Sequence, residues 1–178
     1  MAGKNRRAGP AARAADPFAG YPDTLRHSTQ NPKVVYVRTN GLYAIRGAAG
    51  SRDLPLATLN AEGGEAIRVY RRTTGATTAR ALAEAPLLPV YSQGAEAYAI
   101  PTGRVLVRFA DSIKAESRAG DLKKLGYRIA QTLVYAPNAA WLESESGMTD
   151  ALRNIERVEQ LAGVENVEPQ FLSPRAAK

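Results

Sequence analysis

The sequence predicts an α+β protein, and three observations predict it. Short stretches alternate apolar and polar residues with a period of two. Two stretches near the C-terminal end repeat their apolar residues at helical spacing, each stopped by a glycine. Pro, Gly and Asn punctuate the rest at short intervals. The chain has 178 residues, 44% of them hydrophobic, enough for one ordinary domain or two small ones with a buried core. The expected organisation is a loose basic tail over 1–32, a β-rich region over 33–102, a regular domain over 103–171 and an extended tail over 172–178.

Residues 1–32 hold Pro10, Pro17, Pro22 and Pro32 and little periodicity, so they read as disordered or loosely attached. The one histidine, His27, lies here and is given no function. "KVVYVRTNGLYAIRG" reads as a hairpin. Val34 to Arg38 form one strand, Asn40-Gly41 supply the positive φ of a tight turn, and Leu42 to Arg46 return. "EAIRVYRR" (65–72) reads as a strand and "ATTARALAEA" (76–85) as a short helix stopped by Pro86. "LLPVYSQ" (87–93) and "AEAYAIP" (95–101) read as two more strands.

From residue 103 the pattern is regular. "RVLVRF" (104–109) is a strand with Val105, Val107 and Phe109 on one face. "SIKAESRAGDLKKLG" (112–126) is a helix capped by Ser112, with Ala115, Ala119, Leu122 and Leu125 inside and Gly126 as its stop. "YRIAQTLVY" (127–135) is a strand, Pro137-Asn138 its turn, and "AAWLESE" (139–145) the returning strand. "TDALRNIERVEQLAG" (149–163) is a helix capped by Thr149, burying Leu152, Ile155, Val158, Leu161 and Ala162. "VENVEPQF" (164–171) closes the set. The order β-α-β-β-α-β is that of ferredoxin-like folds: an antiparallel sheet with two helices on one face and the other face open. If Leu142 faces the helices, Trp141 and Glu143 face away.

Several functions are excluded by composition. With no cysteine there are no disulfides, thiolates or Cys-based metal sites. With one histidine in the N-terminal segment, no Ser-His or Cys-His pair is expected, nor a metal cluster. "LNAEGGEAI" lacks the lysine and the strand-turn-helix context of a phosphate loop. No catalysis and no cofactor are expected. No 18-residue apolar run is present, and the N-terminus has no apolar h-region. The net charge of +7 is concentrated before residue 103. A basic start can attract nucleic acid. The open sheet itself lacks the stacking aromatics of RNA-recognition modules, since "GRVLVRFADS" has Val and Leu in their place.

The ordered set "VLVRF", "LKKLG", "YAPNAAWLES" and "LAGVENVEPQF" resembles the N-terminal propeptide domain of subtilisin-like serine proteases. The upstream "LYAIR", "AIRVYRR" and "LLPVYSQGAEAYAIPTGRVLVRF" are similar to the extended propeptides of some bacterial members. The resemblance covers residues 33–171. It implies an inhibitor and folding chaperone that docks its open sheet on two surface helices of the protease, through Trp141, Glu143, Glu168 and Gln170. Glu168 would cap the N-termini of those helices. Gln170 stands where the family often has a second acidic residue. The resemblance also implies a substrate-like tail for the active-site cleft, comprising Phe171, Leu172, Ser173, Pro174, Arg175, Ala176, Ala177 and Lys178. The implied partner is a subtilisin-like protease, of the same precursor or a separate chain, with no membrane partner. Two other readings stay open: an interaction module with a different protein target, and a nucleic-acid-associated protein acting through residues 1–32.

Overall fold

The computed structural model describes residues 16–47, 54–60, 65–72, 86–94 and 97–173. The 76–85 helix and the tail beyond Ser173 lie outside the described residues. In chain order the elements are β1 (Thr24–Arg26), β2 (Val35–Arg38), β3 (Leu42–Arg46), β4 (Ala57–Asn60), β5 (Ala66–Arg71), β6 (Leu87–Leu88), β7 (Tyr91–Ser92) and β8 (Tyr98–Phe109). A 3-10 turn (Ala115–Arg118) then leads into α1 (Ala119–Lys124). β9 (Tyr127–Leu133), β10 (Ala136–Ser144), α2 (Met148–Arg153), α3 (Ile155–Glu159) and β11 (Val164–Leu172) follow. The protein is α+β, mostly strand, and its main sheet is antiparallel and curled.

β8 is the spine. Its second half pairs with β10 on one side and β11 on the other, and β9 pairs with β10, giving the neighbour order β11-β8-β10-β9. Val105, Val107 and Phe109 of β8, Ala140 and Leu142 of β10 and Val167 of β11 form one buried face. Ala115 and Leu122 from the first helical segment, and Ala151, Leu152, Ile155 and Val158 from α2 and α3, cover that same face. Each Val, Leu or Ile among them contributes about 1.5–3 kcal/mol by leaving water, and the shared face fixes which side of the sheet carries no helix among the described residues.

The first half of β8 belongs to the other part of the molecule. It pairs with β7, which pairs with β2, which pairs with β1. A second sheet, β4-β5-β3-β6, packs Ala44, Ile67, Val69 and Leu88 against Ile100 of β8 and Leu172 of β11. Residues 95–101 and 104–109 are therefore not two strands. Everything from Tyr98 to Phe109 is continuous, and it crosses the expected boundary at 103. Gly103 makes this possible: it takes φ +87 within the strand, a conformation that side chains resist. The β11 register slips opposite it, between Pro169 and Phe171. There the sheet bends without ending.

Other expectations are corrected. Val35–Arg38 and Leu42–Arg46 are strands but do not form a hairpin: β2 joins the main sheet and β3 the second. Gly41 has φ +83, while no described residue other than glycine has positive φ. Asn40 therefore does not supply its half of the expected tight turn, and the chain changes sheets instead. β3 is then buried on both faces, with Ala44 in one cluster and Tyr43 and Ile45 in another. Residues 87–93 likewise split into β6 and β7, one in each sheet.

The helices are shorter than their patterns. Neither Ser112 nor Thr149 is a cap; the flanking residues are Lys114 and Gly147, without side-chain cap bonds. Ala119 and Ala162, expected inside, are exposed. The 149–163 helix is interrupted at Asn154, whose backbone N–H and Nδ2 both donate to the Asp150 carbonyl, at 3.1 and 3.0 Å. The hairpin turn is Val134–Tyr135, not Pro137–Asn138, because Leu133 pairs with Ala136.

Nor are residues 16–32 loose. Phe18, Leu25 and Ser28 are buried. Asp16 and Asp23 both accept bonds from Arg38, each at 2.6 Å. The Tyr91 hydroxyl donates to the Pro22 carbonyl at 2.8 Å. Further on, the Thr29 N–H donates to the Val167 carbonyl, and the Val167 N–H donates to Thr29 Oγ1, both at 3.1 Å. The segment is a strap that runs from Arg38 and β2 to the outer edge of β11, which it reaches at Thr29 and Gln30, and it is held by apolar anchors that a count of prolines does not register.

Candidate docking face

Side chains paired directly across antiparallel strands share a face. On the side away from the helices the registers build a row: Glu168 of β11 opposite Leu106 of β8, Leu106 opposite Trp141 of β10, and Trp141 opposite Gln131 of β9. Trp141 is half-buried and belongs to none of the three apolar clusters. Leu142, its neighbour, is fully buried beneath the helices. The alternation of "AAWLES" thus sends the tryptophan to the open side.

A second row lies beside the first. Glu143 faces Arg104 of β8 and Arg128 of β9. Arg104 Nε donates to Glu143 Oε1 at 3.0 Å, and Arg128 donates to Oε2. The carboxylate is held by two guanidinium groups, and a partner offering N–H groups must compete with both. Glu145, one step past the strand, is exposed. At the other end of the face Arg108 lies 3.6 Å from Glu165.

Glu168 stands at the edge of the Trp141 row. Its Oε1 accepts from Asn166 Nδ2 at 2.6 Å, and Asn166 Oδ1 accepts from the Gln30 N–H at 3.2 Å. The strap therefore orients Glu168 through Asn166. Gln170, two residues on and on the same side, accepts from the Thr102 hydroxyl at 2.7 Å. Phe171 and Leu172 do not leave the sheet. They pair with Pro101 and Ile100, and the Phe171 ring packs against Tyr36 with centroids 4.3 Å apart and planes tilted by 35°. Of the residues assigned to the cleft tail, only Ser173 among the described ones is outside the strand.

Trp141, Glu143, Glu168 and Gln170 are thus brought onto one face, and Phe171 and Leu172 are separated from the tail. Sequence reasoning missed the arginines. The signal was present, since in "GRVLVRF" Arg104 and Arg108 alternate with Val105 and Val107 and so must share the face of Leu106. The strap's hold on Asn166 had no local signal.

Charges in the strap are arranged for strength. Burial opposes ionisation of Asp16, but bonds from Arg38 and the Phe18 N–H, with the charges of Arg38 and Arg72, outweigh it and hold the carboxyl below its ordinary value. Burial pushes the Tyr91 and Tyr127 hydroxyls up; Tyr127 donates to the Ala151 carbonyl and ties β9 to α2. No helix among the described residues is long and apolar enough to cross a membrane. No family model, curated protein or solved structure matches this chain.

Proposed function

We propose that this chain is a non-catalytic, propeptide-like inhibitor and folding chaperone of a subtilisin-like serine protease, with a ferredoxin-like domain built on β8 to β11. The neighbour order β11-β8-β10-β9 and the helical segments gathered on one face support that fold assignment. The observation that carries the function is the row Glu168, Leu106, Trp141 and Gln131 on the face without helices. It puts an aromatic anchor beside an aliphatic residue, with a carboxylate at the rim. Aromatic anchors dominate binding energy at interfaces, and a carboxylate at the rim suits the N–H groups and positive dipole end of a partner helix. Glu143, already paired with two arginines, contributes less. The cleft strand begins at Ser173, since Phe171 and Leu172 stay in the sheet. Chaperoning follows from the same contact, because whatever binds the native enzyme favours that state.

The test is a titration against a purified subtilisin-like protease, reading both substrate cleavage and binding to the enzyme with its nucleophilic serine replaced by alanine. Trp141→Ala and Glu168→Ala are expected to weaken both readouts, roughly tenfold or more for the tryptophan. A chain ending at Leu172 is expected to bind yet inhibit poorly. Unchanged values for all three variants, or no binding by the intact chain, would sink the proposal. Co-purified nucleic acid released steeply by salt would instead favour a role for the basic N-terminal segment.

A further inference from the structure

The hairpin of β9 and β10 turns on two residues, because Leu133 pairs with Ala136. Loops that short favour Asn-Gly and its relatives, whose positive φ matches the twist of the strands. This one is Val134–Tyr135, and neither takes positive φ. The register slips at once, between Ala136 and Ala140. The chain gives up a good turn and gains no packing in exchange: Val134 is 100% exposed, Tyr135 86%, and neither belongs to an apolar cluster. A local rule broken without a gain inside the fold points to a role outside it.

Composition says what kind of role. Residues 129–142 contain no Asp, Glu, Lys or Arg, in a chain that is 23% charged. A surface complementary to this hairpin would be uncharged and apolar. A loop that inserts into lipid is helped by free basic residues beside it, to meet anionic headgroups. Here the flanking Arg128 is paired with Glu143, and Asp111 lies beneath the hairpin, bonded to Asn138 at 3.2 Å. A pocket on a protein fits better.

Position completes the case. The turn projects past the end of the sheet where Phe109 pairs with Val164, and β11 ends at the opposite end, where Leu172 pairs with Ile100. β10 itself carries Trp141 on the open face. We propose that Val134 and Tyr135 form a second anchor, entering an uncharged apolar pocket on the protease that seats on that face. This rests on the docking reading above. The tail and the turn then hold the two ends of the sheet, and together they set its orientation on the partner.

The experiment replaces the turn by Val134→Asn with Tyr135→Gly, which restores favoured turn chemistry, and separately makes Tyr135→Ser, which leaves the backbone alone. Both variants should melt no lower than the parent. Both should dissociate from the serine-inactivated protease faster, roughly tenfold or more for the double variant. Unchanged dissociation, with Trp141→Ala still weakening binding, would overturn the second anchor and leave the docking reading standing. No binding by the parent would remove both. Two further results would also overturn it: sedimentation of the parent with phosphatidylcholine–phosphatidylserine vesicles that the double variant loses, and a concentration-dependent dimer that it loses.

Discussion

Asn138 is buried because both of its bonds are inside the protein: Nδ2 donates to the Phe109 carbonyl at 2.7 Å and to Asp111 at 3.2 Å. Asn138→Ala strands that carbonyl and should destabilise by about 1–3 kcal/mol, seen as a lower Tm. Asn138→Asp should do worse, because it sets an acceptor against two acceptors. Asp16 makes a prediction with a pH sign. Its carboxyl is held below the ordinary value of 3.8, so its contribution is present above that value and is lost as the pH falls through the lower, folded one. Asp16→Asn should reduce protection of the amides around Phe18 and Tyr21 from hydrogen exchange at neutral pH. The difference from the parent should shrink below pH 3.8 and vanish once the native carboxyl is protonated. A difference that stays constant into acid would mean that Arg38 is held by other groups.

Among the elements, β8 is the one that a single substitution tests best. Gly103 sits at φ +87 within it, and an added Cβ would come within 3.3 Å of the Met148 side chain. Gly103→Ala should cost about 1–2 kcal/mol from the backbone conformation alone, read as a lower denaturation midpoint with an unchanged slope. The same strand shows what the sequence could and could not disclose. Period-two patterns in "RVLVRF" and "AAWLES" depend only on neighbouring residues, and the faces they predicted for Val105, Val107, Trp141 and Leu142 are the observed ones. Partner choice is not local. Asn40-Gly41 is a strong hairpin signal, yet two apolar clusters claim opposite faces of β3, and that burial outweighs a turn preference. For the same reason the open-face placement of Trp141 and Glu143 on β10 was legible, while the bonds from Arg104 and Arg128 to Glu143 and the strap that orients Glu168 emerge only once distant strands are paired.

In the whole molecule the two parts are not separable bodies. β8 runs through both, β11 follows it along most of its length, and Phe171 and Leu172 of that one strand enter different clusters. The strap adds a third tie, from Arg38 through Asp16 and Asp23 at one end to Val167 at the other. β11 is also the last of these strands to be synthesised. A nascent chain that has made everything up to α3 still has one edge of β8 unpaired along most of its length, and the cluster beneath the helices still lacks Val167. Until the ribosome delivers Val164 to Leu172, one cluster lacks Phe171 and the other lacks Leu172, so a single late strand completes both halves.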